Sequence, residues 1–217
     1  MGKIRKLLSL IPALIIWLML SALVWGFVFT RITDTDPAHK LTLFIDAQVT
    51  DATTLAVQLE DHLGGNIRMV KVHPFTYAML DGEQLKAADL YIIRADRMET
   101  YREWLLPLPE EMRGRGKEYI RDGAAWGILI YDAEKKTGIA ADCVNYLPPG
   151  EPEVNYYLCF GSQSMHIQGQ KNAVDNAAAD AAKLLLTMQQ IEGDIAYATQ
   201  RDRVSLSISS DNPPSNK

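Results

Sequence analysis

The longest apolar run in the chain is Leu7–Phe29, which contains no charged residue. As a helix rising about 1.5 Å per residue, it is long enough for the roughly 30 Å hydrocarbon core of a bilayer. After residue 40 the pattern changes to short alternating units. Leu41–Asp46 reads as a β-rich first strand. Leu55, Leu59 and Leu63 then recur every four residues, marking one face of a helix that begins near Asp51. Thr50 is placed to cap it, and Gly64-Gly65 to end it. Ile67–Val72 alternates as a second strand, and strand–helix–strand predicts a parallel pair with a right-handed crossover.

Further on, a short helix follows Asp81-Gly82 and ends before Asp89, and Leu90–Ile93 is a third strand apolar enough for burial on both faces. Asp96 starts a helix that runs through Tyr101 and Trp104 and is stopped by Pro107 and Pro109. The charged segment Glu110–Asp122 is expected to be a surface loop. Trp126–Tyr131, Ile139–Leu147 and Tyr156–Phe160 read as three more strands. The last strong element is a helix over Ala173–Met188, capped by Asn172, with Ala173, Ala177, Ala181, Leu184, Leu185 and Met188 as its buried stripe.

These elements predict an α/β protein. A single N-terminal transmembrane helix precedes one extracytoplasmic, three-layer-like domain with a mixed, mostly parallel sheet. The expected divisions are a cytoplasmic N-terminus (1–6), an anchor (7–30), a stalk (31–40), the α/β domain (41–190) and a C-terminal appendage (191–217). Val204, Leu206 and Ile208 alternate as an edge strand within that appendage, and its polar end is expected to be disordered.

Charge sets the direction of crossing. Lys3, Arg5 and Lys6 precede the apolar run, and the basic flank of such a segment stays in the cytoplasm. The localisation expected is therefore a single-pass cell-membrane protein with residues 31–217 outside. A cleaved signal peptide is the rival reading, but the run exceeds the usual 7–15-residue core and its end lacks a small-x-small site. The part after residue 30 carries 19 basic against 27 acidic residues, a formal charge of −8. That excludes a nucleic-acid footprint and a polybasic grip on anionic lipid. Cys143 and Cys159 each lie in a strand-like run, and in an oxidising compartment they form a candidate disulfide, with two buried thiols as the alternative.

Motifs for chemistry are absent from the sequence. His39, His62, His73 and His166 have no metal-ligand spacing, so no metal and no cofactor is expected. Gly114–Lys117 lacks the residues of a phosphate loop, and Gly161–Met165 lacks the second glycine of a nucleophile elbow. Glu110, Glu111, Glu151 and Glu153 read as solvated loop charges. Open α/β sheets gather ligands at the carboxyl ends of their strands. By that rule the candidate ligand-binding residues are Asp46, His73, Arg94, Asp96 and Tyr131, with Tyr77 and Trp126 as aromatic walls. An enzyme would need Asp46, Asp96 and His73 to converge in one pocket.

The run LTLFIDA, the helix TLAVQLEDHLGG, then NIRMVKVHPFTY, LDGEQLKAADLYIIRAD and METYREWLLPLPEEM resemble the first lobe of a bacterial extracellular solute-binding protein of the ABC-transporter type. NYYLCFGSQSMHI and the helix after it resemble the return to that lobe. The resemblance covers residues 41–189. The chain is about half the family's usual length, so it resembles one lobe only, and the membrane anchor stands where many members carry a lipid. The resemblance implies a non-catalytic, membrane-anchored module that binds a small ligand or a membrane protein partner. The alternative expectation is a non-catalytic structural or assembly subunit of a bacterial envelope complex.

Overall fold

The structure is a computed structural model and describes residues 12, 14–26, 35–75, 82–188 and 190–192. The chain divides into two units, Met1–Asp36 and Pro37–Lys217. In the first, residues 14–26 are helical. Its apolar side chains, from Leu14 to Leu20 and again at Leu23, Val24 and Trp25, are exposed. Among the described residues no helix is long and apolar enough to cross a membrane. The ends of the Leu7–Phe29 run, residues 31–34 of the stalk, Tyr77 and the appendage beyond residue 192 lie outside the described residues.

The second unit is an α/β domain around one large mixed sheet. Strands β1 (Lys40–Ile45), β3 (Met69–Pro74) and β4 (Leu90–Arg94) pair in parallel, with β1 between the other two. This is the pairing expected from strand–helix–strand order. The rest of the sheet is antiparallel. Strand β10 (Tyr156–Gly161) lies between β4 and β7 (Ala124–Asp132), and β7 continues to β8 (Thr137–Ile139) and then β11 (Gln190–Glu192). Parallel neighbours need a long crossover, whereas β6 (Glu118–Arg121), β7 and β8 are joined by tight hairpins, which impose antiparallel pairing. Two short strands, β2 (Gln48–Val49) and β9 (Val144–Asn145), form a separate ribbon, and β5 (Leu105–Leu106) pairs with β10.

Side chains alternate between two hydrophobic layers. Leu41, Leu43 and Ile45 of β1, Leu90 and Ile92 of β4, and Tyr156, Leu158 and Phe160 of β10 belong to the larger. It also takes Leu55 and Leu59 of helix α1 (Ala52–Leu63) and the alanines of helix α4 (Ala177–Thr187). Phe44, Tyr91, Ile93, Tyr157 and Cys159 face the other way, with Leu85 of the short helix α2 (Gly82–Lys86) and Met98 of the single-turn α3 (Met98–Tyr101). Every residue of β4 is buried: Leu90–Ile93 as their apolar composition predicts, and Arg94 besides.

Local chemistry fixes the helix ends. Asp51, one residue after the expected cap, accepts the Thr54 amide at 2.9 Å, and Gly64 and Gly65 end α1 with positive φ. Helix α4 starts at Ala177, later than the alanine spacing suggests. Asp175 and Asn176 are already committed, Asp175 to the His166 ring and Asn176 to the Gln168 amide and Glu111. The expected bridge is not formed, since Cys143 and Cys159 are free thiols buried in different layers. Burial and then the charges of Asp142 and Asp51 push the Cys143 thiol up to about 11, and burial pushes Cys159 up as well, so neither is poised as a nucleophile.

Candidate functional site

A cleft of about 790 Å³ opens at the carboxyl ends of β1 and β3. It falls within the roughly 300–1,000 Å³ typical of small-ligand pockets. Its walls come from several connections. The β1–β2 turn gives Asp46 and Ala47, the end of β3 gives Pro74 and Phe75, and α2 gives Leu85. The segment after β4 gives Arg97, Tyr101 and Trp104, while the β9–β10 loop gives Pro148 and Glu151. The aromatic residues form a continuous wall. Phe75 meets Tyr101 edge-on at 5.0 Å, and Tyr101 meets Trp104 at 5.1 Å.

Charge is concentrated at the cleft floor. Asp46 is 6 % exposed, and its amide extends the β1–β4 ladder by donating to the Ile92 carbonyl at 2.8 Å. Its Oδ1 accepts from Arg97 Nη1 at 2.5 Å. Its Oδ2 is buried with no hydrogen-bond partner among the described residues. Burial raises the Asp46 carboxyl above its usual range, and the charges of Arg97 and Arg94 pull against that rise. Arg94 is 3 % exposed. It donates from Nε and Nη2 to the two carboxylate oxygens of Asp96, at 3.1 and 3.0 Å, and its Nη1 pairs with Glu151. The hydrogen bond from Arg94 holds the Asp96 carboxyl below its usual range. The forked pair with Asp96 orients the guanidinium, and the pair with Glu151 ties the β9–β10 loop to the end of β4.

The structure gathers only part of the set expected from sequence. Asp46 lines the cleft, and Arg94 and Asp96 stand behind it through Glu151. His73 is absent from the lining; its ring packs against Phe44 at 5.3 Å, and burial, then Lys71 and Lys40, lower its pKa. Tyr131 points into the core, stacked on Tyr146 at 4.8 Å and edge-on to Tyr156 at 6.0 Å. Trp126 lies near the start of β7, at the opposite end of the sheet, where it faces Arg102 at 5.0 Å and donates to the Arg121 carbonyl at 3.2 Å. Glu151, read as a solvated loop charge, is an ion-pair partner of a buried arginine. Arg97, Tyr101, Trp104 and Phe75 complete the lining and fall outside the expected set. Among the described residues no group of three His, Cys, Asp or Glu side chains could hold a metal ion.

No protein-family model matches the chain, and no curated protein matches it. Among solved structures, thiaminase I from Bacillus thiaminolyticus is similar over 42 % of this chain and 28 % of that one, at 14 % identity and a TM-score of 0.31. The match thus spans less than a third of that enzyme's length.

Proposed function

We propose that the protein is a membrane-anchored, extracytoplasmic module that binds a small ligand without transforming it. The observation that carries the reading is the cleft at the strand ends, with an aromatic wall on one side and the buried Asp46 carboxylate at its floor. Such a site combines apolar area for affinity with few polar groups for orientation. The resemblance of residues 41–189 to one lobe of a solute-binding protein supports the same reading. The charge-free run Leu7–Phe29 and the basic flank before it support an anchor with the Pro37–Lys217 unit outside the cell.

The test uses the full chain in nanodiscs against a broad library of small solutes. Any solute that binds the folded state raises its stability, by about 2.7 kcal/mol at a hundred times its Kd. At least one solute is expected to raise the melting temperature and quench Trp104 fluorescence. A library with no such member sinks the reading and favours the assembly-subunit alternative, which crosslinking in native membranes would then pursue. Protease added outside intact spheroplasts is expected to remove the Pro37–Lys217 unit; its complete protection would reverse the topology.

A further inference from the structure

The cleft's charges point to the class of ligand, an inference that rests on the ligand-binding reading above. Five ionisable side chains lie at the floor or just behind it, in two groups. Arg94 pairs with Asp96 and Glu151, and Arg97 pairs with Asp46. In the first, two half-exposed carboxylates share the Arg94 guanidinium; in the second, the buried Asp46 carboxylate faces Arg97 alone. The hydrogen bonding singles out Asp46. Asp46 gives Oδ1 to Arg97, while its Oδ2 has no hydrogen-bond partner among the described residues. A carboxylate oxygen can only accept, so the group that satisfies it is a donor. A buried carboxylate oxygen left unmatched is costly, and it is matched best by a donor that also carries positive charge.

The neighbouring surface suits the rest of such a molecule. Phe75, Tyr101 and Trp104 form the wall of the same cleft. Aromatic faces attract ammonium groups through their quadrupole, and their area packs against an apolar body. An anionic ligand would find Arg97 already engaged by Asp46 and would bring a second acceptor against the Asp46 carboxylate.

We propose that the cleft binds a monocationic organic amine with an apolar or aromatic body, its ammonium held by Asp46 and its body laid on the Phe75–Tyr101–Trp104 wall. Arg97, whose side chain is about half exposed, is the mobile partner that yields room at Asp46. The elevated Asp46 pKa adds a dependence on pH. Protonation of Asp46 removes the counter-charge, so amine affinity falls on acidification.

The test is calorimetric titration of the full chain in nanodiscs with three probes of one shape: phenethylammonium, phenethyl alcohol and phenylpropionate. Phenethylammonium is expected to bind at least about tenfold more tightly than the other two, and to weaken as the pH is lowered. Asp46→Asn is nearly isosteric and should erase the preference for the ammonium. Should Asp46→Asn fail to fold, Trp104→Leu supplies the second arm, with a selective loss of ammonium over alcohol binding. If the alcohol or the propionate binds as tightly as the ammonium, the inference is overturned and the ligand-binding reading stands. If no probe binds while the broad library yields a neutral or anionic ligand, the inference falls alone. If the library too is silent, both fall.

Discussion

Gly161→Ala is expected to destabilise the domain by about 3 kcal/mol or more, the upper end for overpacking a core. Gly161 ends β10, and its amide donates to the Asp89 carbonyl at 2.9 Å. A Cβ there would overlap the carbonyl oxygen of Ala88 and come within 3.2 Å of the Tyr91 ring. The obstacle is backbone, so no side-chain rotation relieves it. Nor is that backbone free to retreat. Asp89 is held by Ser164 Oγ at 2.6 Å and by the Thr42 amide at 2.8 Å, and the Tyr91 hydroxyl is bonded to the Leu85 carbonyl. For a domain of this size the melting temperature should fall by about 6–12 °C. Gly82→Ala is the control. Nothing lies within 4 Å of a Cβ at Gly82, which opens helix α2, so its melting temperature should stay near that of the native chain or rise slightly. A Gly161→Ala protein that melts with the native chain would disprove this close approach.

The same region shows why some of the fold is legible in sequence and some is not. Strands β1, β3 and β4 and helix α1 declare themselves because each carries its own periodicity, buried on one or both faces. Strand β6 does not. Its residues Glu118–Arg121 are half-exposed or exposed, and Ile120 is 66 % exposed. What makes it a strand is the neighbouring β7, whose pairing supplies hydrogen bonds to a segment with little apolar drive of its own. The start of α4 is shifted by a comparable long-range effect. Its would-be first turn is claimed by His166 and Gln168, contacts that no local pattern encodes.

For the site, the strand-end rule finds Asp46 because it follows directly from the fold class. It misleads at Trp126, the first aromatic of a strand rather than its last residue. Arg97, Tyr101 and Trp104 were within reach. Their spacing of four and then three residues sets them on one face of a helical segment, a stripe of one cation and two aromatics. Glu151 carried no signal. Its role depends on Arg94, far away in the chain, and a Pro- and Gly-rich loop around a glutamate reads as solvent-facing.

Stability is expected to decline as pH rises above about 6.5, and the cause is His166. This ring is 1 % exposed and lies among acceptors on both sides. Nδ1 is 2.7 Å from Asp175 Oδ1, while Nε2 is 3.2 and 3.1 Å from the carbonyl oxygens of Pro37 and Lys40. A carboxylate and two carbonyls can only accept, so both nitrogens are satisfied together only when both carry hydrogen. Burial alone would lower the His166 pKa. The bond to Asp175, the charge of Asp89 and the Pro37 carbonyl outweigh it and raise the value. A histidine whose folded pKa exceeds its unfolded value of about 6.5 stabilises fully below that value, and the gain is lost as pH climbs through the folded pKa. His73 works in the opposite sense, since its pKa is lowered, and its influence ends by about pH 6.5. The raised carboxyls of Asp46 and Asp89 also cost stability as pH rises, so the share that belongs to His166 is assigned by substitution. His166→Gln should flatten the decline in melting temperature between about pH 6.5 and 9. His166→Ala should cost about 3 kcal/mol near pH 6, because it strands Asp175 and two backbone carbonyls. A native profile that rises or stays level across that range, or a His166→Gln profile that declines as the native one does, would show that the ring is not held as an imidazolium. The ring bonds the first residues of the Pro37–Lys217 unit to the segment leading into α4. Deprotonation would therefore loosen the first residues of the Pro37–Lys217 unit, while the cleft at the carboxyl ends of β1 and β3 keeps its own ion pairs.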